Sequence, residues 1–187
     1  MFEYHDVGVA HATHPYSSKW WEWPLDYVPV AYFYLDQRQD PSDPRQCCVS
    51  EVTSLPNPIV LWFGLFSVPF VAVLAFRLRN KAYALIVLDY VLQWVPWAGS
   101  PRITFAYHFY VNIPLICLCN AIALQHLSRW GKLARKHVAI STVSTGVYVT
   151  TVIAAFIFFY PILSAHPITW NAWHERMWID KWIIGPG

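Results

Sequence analysis

Charge is what this sequence has least of. Asp, Glu, Lys and Arg make up 13% of its 187 residues, against roughly a quarter in soluble domains. Hydrophobic residues make up 56% and aromatic residues 18%, and the mean hydropathy is +0.32. Such a balance belongs to a membrane protein with polar segments. The scarcity of charge also excludes a nucleic-acid binder. There is no basic stripe, the positive residues gather in two short loops, and the net charge of +2 carries little information. Patterns for a hydrolytic nucleophile, a phosphate-cradling Gly loop and His-Glu-x-x-His are missing too. The four cysteines form neither a disulfide framework nor a zinc site, because Cys47 and Cys48 are adjacent and Cys117 and Cys119 lie in an apolar run. Cys47 or Cys48 stays available for a bridge to another chain on an oxidising side. No internal repeat is present, which speaks against a transporter built from inverted halves.

What is present is a set of four apolar runs, Pro58–Phe76, Ala82–Trp97, Phe105–Leu127 and Val138–Leu163. Each approaches the length that a hydrocarbon core of about 30 Å requires, although the second must borrow from its flanks. The expected fold class is an all-α integral membrane protein with four transmembrane helices over residues 58–163. Residues 1–57 form a polar, aromatic and Pro-rich segment outside the membrane. Within it Val28–Leu35 and Cys48–Leu55 flank Asp40-Pro-Ser-Asp-Pro44 and predict a small β-hairpin. In the tail, residues 164–187, Trp170, Trp173, Met177 and Trp178 recur at helical spacing. That spacing predicts an interfacial amphipathic C-terminal helix.

The loops set the orientation. Arg77, Arg79 and Lys81 join the first two runs, and Arg129, Lys132, Arg135 and Lys136 join the last two, with no acid in either loop. The positive-inside rule makes both loops cytoplasmic. Both termini are then expected on the extracytoplasmic (lumenal or periplasmic) side. Met1-Phe-Glu-Tyr-His lacks the basic and apolar regions of a signal peptide; either the acidic segment is carried across by the span behind it, or, as we expect, the natural polypeptide extends upstream by an even number of crossings.

Chemistry concentrates in Ser100–Pro114, where Arg102, Tyr107, His108, Tyr110 and Asn112 stand at the opening of an apolar run. Polar groups at membrane depth mark working sites, and the same residues also suit an interfacial belt with Arg102 snorkelling outward. Asp89 is the acid expected inside a span, either as an orienting or ion-binding group or as a buried carboxyl satisfied by hydroxyls of the fourth run. A haem held by histidines is disfavoured by spacing. His108 and His126 lie about 27 Å apart along a helix and His137 and His166 about 43 Å, so the two levels do not match. What remains is an outward mouth of His14, Tyr16, Lys19, Arg102, Tyr107 and His108. Cations and hydrogen-bonding groups at the bilayer surface suit an anionic lipid headgroup, such as the phosphate of a polyprenyl phospho-sugar. Plain interfacial anchoring is the competing reading, and spacing alone does not separate the two. No catalytic residue, metal site or cofactor is expected.

Several stretches together resemble the protein O-mannosyltransferase family. They are Ala12-Thr-His-Pro-Tyr-Ser-Ser-Lys-Trp-Trp-Glu-Trp-Pro24, Pro29-Val-Ala-Tyr-Phe-Tyr34, Asn57-Pro58, Pro101-Arg-Ile-Thr-Phe-Ala-Tyr-His-Phe-Tyr110 and Phe159-Tyr-Pro-Ile-Leu-Ser164. The ordered set is similar to the family's C-terminal four-span region with the outer loop before it. The resemblance implies an integral membrane glycosyltransferase that moves mannose from a polyprenyl (dolichyl) phosphate to Ser/Thr of a protein. It places the family's catalytic Asp, beside a Glu, in a first outer loop to which no position here corresponds. It therefore implies half of an enzyme, inactive alone and partnered by an N-terminal half or other membrane subunits. His14, Lys19, Arg102, Tyr107 and His108 would lie near the donor phosphate or acceptor channel. The alternative is a non-catalytic scaffold subunit derived from that family and packed in a larger complex.

Overall fold

The computed structural model describes residues 14–38, 40, 42–43, 45, 47–131 and 137–183, with side chains left out from 128 to 142. The opening pentapeptide Met1–His5 and Lys132, Arg135 and Lys136 of the second basic loop lie outside what is described, as do the side chains of Arg129 and His137. The described residues form two compact units. One comprises residues up to Pro56, Trp97–His108 and the chain from Phe156 on; the other comprises Asn57–Pro96 and Phe109–Ala155.

The second unit is helical. Helix α1, Pro58–Leu78, begins where its sequence says it must. The Oδ1 of Asn57 accepts from the N–H groups of Ile59 and Val60 at 3.1 and 3.4 Å, and Pro58 fills the first position, where no N–H is needed. Arg79 ends it in the left-handed conformation, φ 50°, returning its N–H to the last turn. Helix α2, Lys81–Trp94, is capped by Asn80 in the same manner and passes into a 3-10 helix, Val95–Gly99. Helix α3, Ile113–Gly131, is preceded by a 3-10 helix, Ala106–Asn112, so the polar opening stretch is not the start of an α-helix as such. Helix α4 runs His137–Leu163.

Among the described residues three segments are long and apolar enough to cross a membrane, Pro58–Leu78, Ala106–Leu127 and Val143–Leu163. Helix α2 exists as expected but has 14 residues, about 21 Å of rise, short of a hydrocarbon core.

The core of this unit is a close crossing of α1 and α3 around one polar node. Leu61, Gly64, Ser67, Val68 and Val71 form the buried face of α1. The absent side chain of Gly64 is required, since a Cβ there would stand 2.6 Å from Cγ2 of Ile116. Asn120 of α3, buried, donates through Nδ2 to the Val60 carbonyl and the Tyr148 hydroxyl, 2.9 Å each, and its Oδ1 accepts from the Ser67 hydroxyl. An amide so satisfied is tolerated in apolar surroundings. Asp89, by contrast, is exposed, and its Oδ1 accepts from Gln93 Nε2 at 2.9 Å, one turn on. It is not the buried carboxyl that hydroxyls of the fourth run would satisfy.

The other unit carries the small sheet that accompanies the mostly helical fold. Strands β1, Val30–Asp36, and β2, Cys47–Ser54, pair antiparallel from Val30↔Ser54 to Asp36↔Val49, with an irregularity between Ala31 and Phe33. This is the expected hairpin. It gains a third strand from the tail, β3, Ile168–Thr169, in the order β1-β2-β3. Cys47 and Cys48 stand side by side at the start of β2.

The tail is also different from its sequence pattern. Helix α5 covers Trp170–His174 and stops; no long amphipathic helix forms. Its tryptophans do not share an outward face. Trp173 is 1% exposed, with Nε1 donating to the buried Glu51 carboxylate of β2, whereas Trp178 is exposed and packs on Phe159 at 4.7 Å. Arg176 donates through Nε to the Phe158 carbonyl at 2.7 Å. Tertiary partners for these indoles and this guanidinium overrode the helical period.

Candidate functional site

The sheet-bearing unit holds a cavity of about 770 Å³, lined from three distant stretches. The first is the turn Trp20–Leu25, a 3-10 helix whose preceding residue, Lys19, donates its backbone N–H to Glu22 Oε2 at 2.6 Å. That bond fixes the turn's start and occupies one carboxylate oxygen. The second is the stretch from Trp97 to Thr104. It is tied to the first by a reciprocal pair: Ser18 N–H donates to the Thr104 carbonyl at 2.9 Å and the Thr104 hydroxyl donates to the Ser18 carbonyl at 2.7 Å. Trp23, wholly buried, closes the same seam by donating Nε1–H to the Ser18 hydroxyl at 3.0 Å. The third is the 3-10 helix Asp180–Trp182 of the tail.

Three cations face this cavity, Lys19, Arg102 and Lys181, together with the carboxylates of Glu22 and Asp180. Among the described residues no carboxylate lies within ion-pair distance of any of the three cations. Lys19 Nζ rests over the Trp21 ring, 4.9 Å from its centroid, a cation–π contact that leaves its N–H donors free to turn outward. Trp20, Trp21 and Trp97 add apolar wall. The result is an open, net-positive, half-apolar recess, suited chemically to a phosphate attached to an apolar chain.

The expected mouth residues therefore divide. Lys19 and Arg102 line the cavity; His14, Tyr16, Tyr107 and His108 do not. His108 lies in an aromatic stack, 4.3 Å from Trp97, 4.5 Å from Tyr107 and 6.0 Å from Trp23. Its Nδ1 lies 2.9 Å from the Phe105 carbonyl oxygen and 3.3 Å from the Phe105 backbone N, so the ring is held against the backbone three residues earlier. His14 packs edge-on against Phe105 at 5.4 Å and accepts the Tyr16 N–H through Nδ1 at 3.2 Å. Burial, and secondarily Glu51, raise the Tyr16 phenol above its ordinary value. These four residues buttress the wall that carries Arg102. Asn112, from the same stretch, is fully buried in the helical unit.

Sequence reasoning missed Lys181 and Asp180. Their charge between tryptophans reads as the polar face of an interfacial helix, and only the folded tail brings them to Lys19. Among the described residues no group of His, Cys, Asp or Glu is arranged to hold a metal.

Comparison with known proteins adds three findings. Residues 1–182 match the family model for the C-terminal four TMM region of protein-O-mannosyltransferase. Over 173 residues the chain is 25% identical to a polyprenol-phosphate-mannose–protein mannosyltransferase of Mycobacterium tuberculosis, covering 90% of this chain and 32% of that protein. The protein of the same description from Mycolicibacterium smegmatis is 28% identical, with 90% and 33% covered. The chain thus spans about a third of the length of the curated relatives it matches. Among solved structures, the S. cerevisiae protein O-mannosyltransferase Pmt1-Pmt2 complex bound to the sugar donor is similar in fold. The TM-score is 0.69 at 16% identity, over 98% of this chain and 25% of that one.

Proposed function

Because the chain belongs to the protein O-mannosyltransferase family, within its C-terminal four-span region, we propose that it is the membrane portion of a lipid-linked-sugar glycosyltransferase that helps to hold a polyprenyl-phosphate-mannose donor. The observation that carries this reading is the recess in which Lys19 and Arg102 face one another's space without a carboxylate partner among the described residues. Two exposed cations beside an apolar wall offer charge-assisted hydrogen bonds that one anion can accept. A donor phosphate supplies that anion, and its polyprenyl chain stays in the bilayer. The names of the mycobacterial relatives supply the donor class.

On this reading the cavity opens to the extracytoplasmic side, where the positive-inside rule puts the N-terminal segment and the tail. The cations hold the phosphate as charge builds on it. The carboxylate that activates the acceptor hydroxyl belongs to a part of the enzyme that this chain does not span. The chain by itself then binds donor lipid without transferring mannose. Transfer by the 187-residue chain alone would overturn that division of labour.

The test is equilibrium binding to the full chain in lipid nanodiscs. A short-chain polyprenyl phosphate should bind more tightly than the alcohol of the same length, and Arg102→Gln should weaken phosphate binding roughly tenfold while leaving the alcohol unaffected. A scaffold subunit without donor function would bind phosphate and alcohol alike, and the Arg102 variant would then change nothing.

A further inference from the structure

We propose that Lys181, carried by the C-terminal tail, senses the second negative charge that appears on the lipid phosphate as the sugar leaves, with Trp182 as the positioning residue that holds it at the cavity. This rests on the donor-site reading above and adds to it a residue and a discrimination.

The placement of Lys181 is specific. Asp180–Trp182 forms a 3-10 turn closed by the Trp182 N–H to the Ile179 carbonyl at 2.8 Å. The next bond, from the Ile183 N–H to the Asp180 carbonyl at 3.2 Å, closes the far side. Trp182 is 3% exposed; its Nε1–H donates to the Asp26 carbonyl at 2.8 Å and its ring meets Phe159. Asp26 is the residue that ends the Trp20–Leu25 turn, in the left-handed conformation at φ 48°. One hydrogen bond therefore joins the turn that follows Lys19 to the turn that carries Lys181. The tail arrives at the cavity by a buried anchor, with the lysine left exposed beside it.

The charge count gives the cluster a purpose. A polyprenyl phospho-sugar is a phosphodiester with one negative charge, which matches the excess of one that Lys19, Arg102 and Lys181 hold over the Glu22 and Asp180 carboxylates of the same cavity. In the transfer, the acceptor hydroxyl oxygen bonds to the anomeric carbon and gives its proton to a carboxylate outside this chain. The bond from that carbon to the phosphate oxygen breaks, and its electron pair stays on the phosphate. The phosphate monoester so formed approaches two negative charges at neutral pH. Lys181 attracts the departing monoester more strongly than the diester, because its attraction grows with the charge it faces. Interactions that strengthen as charge develops are those that accelerate a reaction.

The experiment uses the full chain in nanodiscs with three probes: a short-chain polyprenyl phosphate, its methyl diester and the parent alcohol. The wild type should prefer monoester to diester. Lys181→Gln should lose about tenfold on the monoester and little on the diester, and Lys181→Arg should keep the preference. Trp182→Phe, which keeps an aromatic ring but removes the donor, should reduce the preference in the same direction. If Lys181→Gln keeps the full preference while Arg102→Gln loses phosphate binding, the role of Lys181 is refuted and the donor site stands. If the wild type binds all three probes alike, both fall. Equal loss of both esters in Lys181→Gln and Lys181→Arg refutes the charge-sensing role, because a structural defect would be indifferent to the retained charge.

Discussion

Glu51 shows what single residues contribute to this fold. It is 3% exposed in the middle of β2, its carboxylate accepts from Trp173 Nε1, and its backbone carbonyl accepts the Ala165 N–H at 3.0 Å. Burial pushes its carboxyl from 4.5 up to about 7, with the Trp173 bond pulling part of the way back. Between those two values the folded protein holds a proton that the unfolded chain has released, so stability falls as pH rises through that window and levels off above it. The full difference is on the order of 3 kcal/mol. The melting temperature, read by tryptophan fluorescence in detergent, should therefore drop between pH 5 and pH 8. Glu51→Gln keeps an acceptor for Trp173 and should flatten that dependence; an unchanged slope in the variant would assign it to other groups. Nothing in the sequence around Glu51 announces this, because Cys-Cys-Val-Ser-Glu-Val-Thr-Ser alternates poorly and its partner lies 122 residues away. Lys19 and Arg102 were legible, being cations among interfacial aromatics. His108 was legible as a residue of the mouth but not as part of its wall, since stacking against Trp97 depends on a seam that spacing does not encode.

Elements with local start and stop signals were the most readable. Asn57-Pro58 and Asn80 cap α1 and α2 as side chains of that type do, and the apolar runs gave α1 and α4 nearly to their ends. The tail was misread because periodicity counts tryptophans without knowing their partners, and Trp173 satisfies its N–H on a strand rather than at an interface. How α1 meets α3 was likewise hidden: an uncharged run with Gly64 in it does not say which helix approaches. The structure makes that approach testable. Gly64→Ala sets a Cβ against Ile116 Cγ2, and overpacking of this kind costs about 1–3 kcal/mol. Ile116→Ala removes the obstructing methyl but leaves a cavity of its own. The two changes together should destabilise less than their separate losses combined, since each relieves part of the other's defect. Strict additivity in thermal unfolding would mean that α1 and α3 do not pack through this pair.

At the scale of the whole chain the decisive quantity is parity. Lys19 precedes α1, Arg102 follows α2 and Lys181 follows α4, yet all three line one cavity, so a donor site built from them requires all three on one side of a bilayer. Helix α1 is long and apolar enough to cross. If it crosses, the chain must cross again before Arg102, and α2 is the segment available. Its 14 residues give about 21 Å, so the 3-10 helix Val95–Gly99 that follows must contribute the remainder. Segments Ala106–Leu127 and Val143–Leu163 then supply the second pair of crossings that returns the tail to Lys19. The charge rule, applied to Arg77, Arg79 and Lys81, predicts the same parity from different residues. The test is labelling by a membrane-impermeant maleimide in intact cells, in a background with all four native cysteines replaced by serine. A cysteine at Asn80 should react only after the membrane is opened, and one at Ser100 should react at once. Equal reactivity at both positions would make α2 a surface helix, and Lys19 and Arg102 could then not share a phosphate.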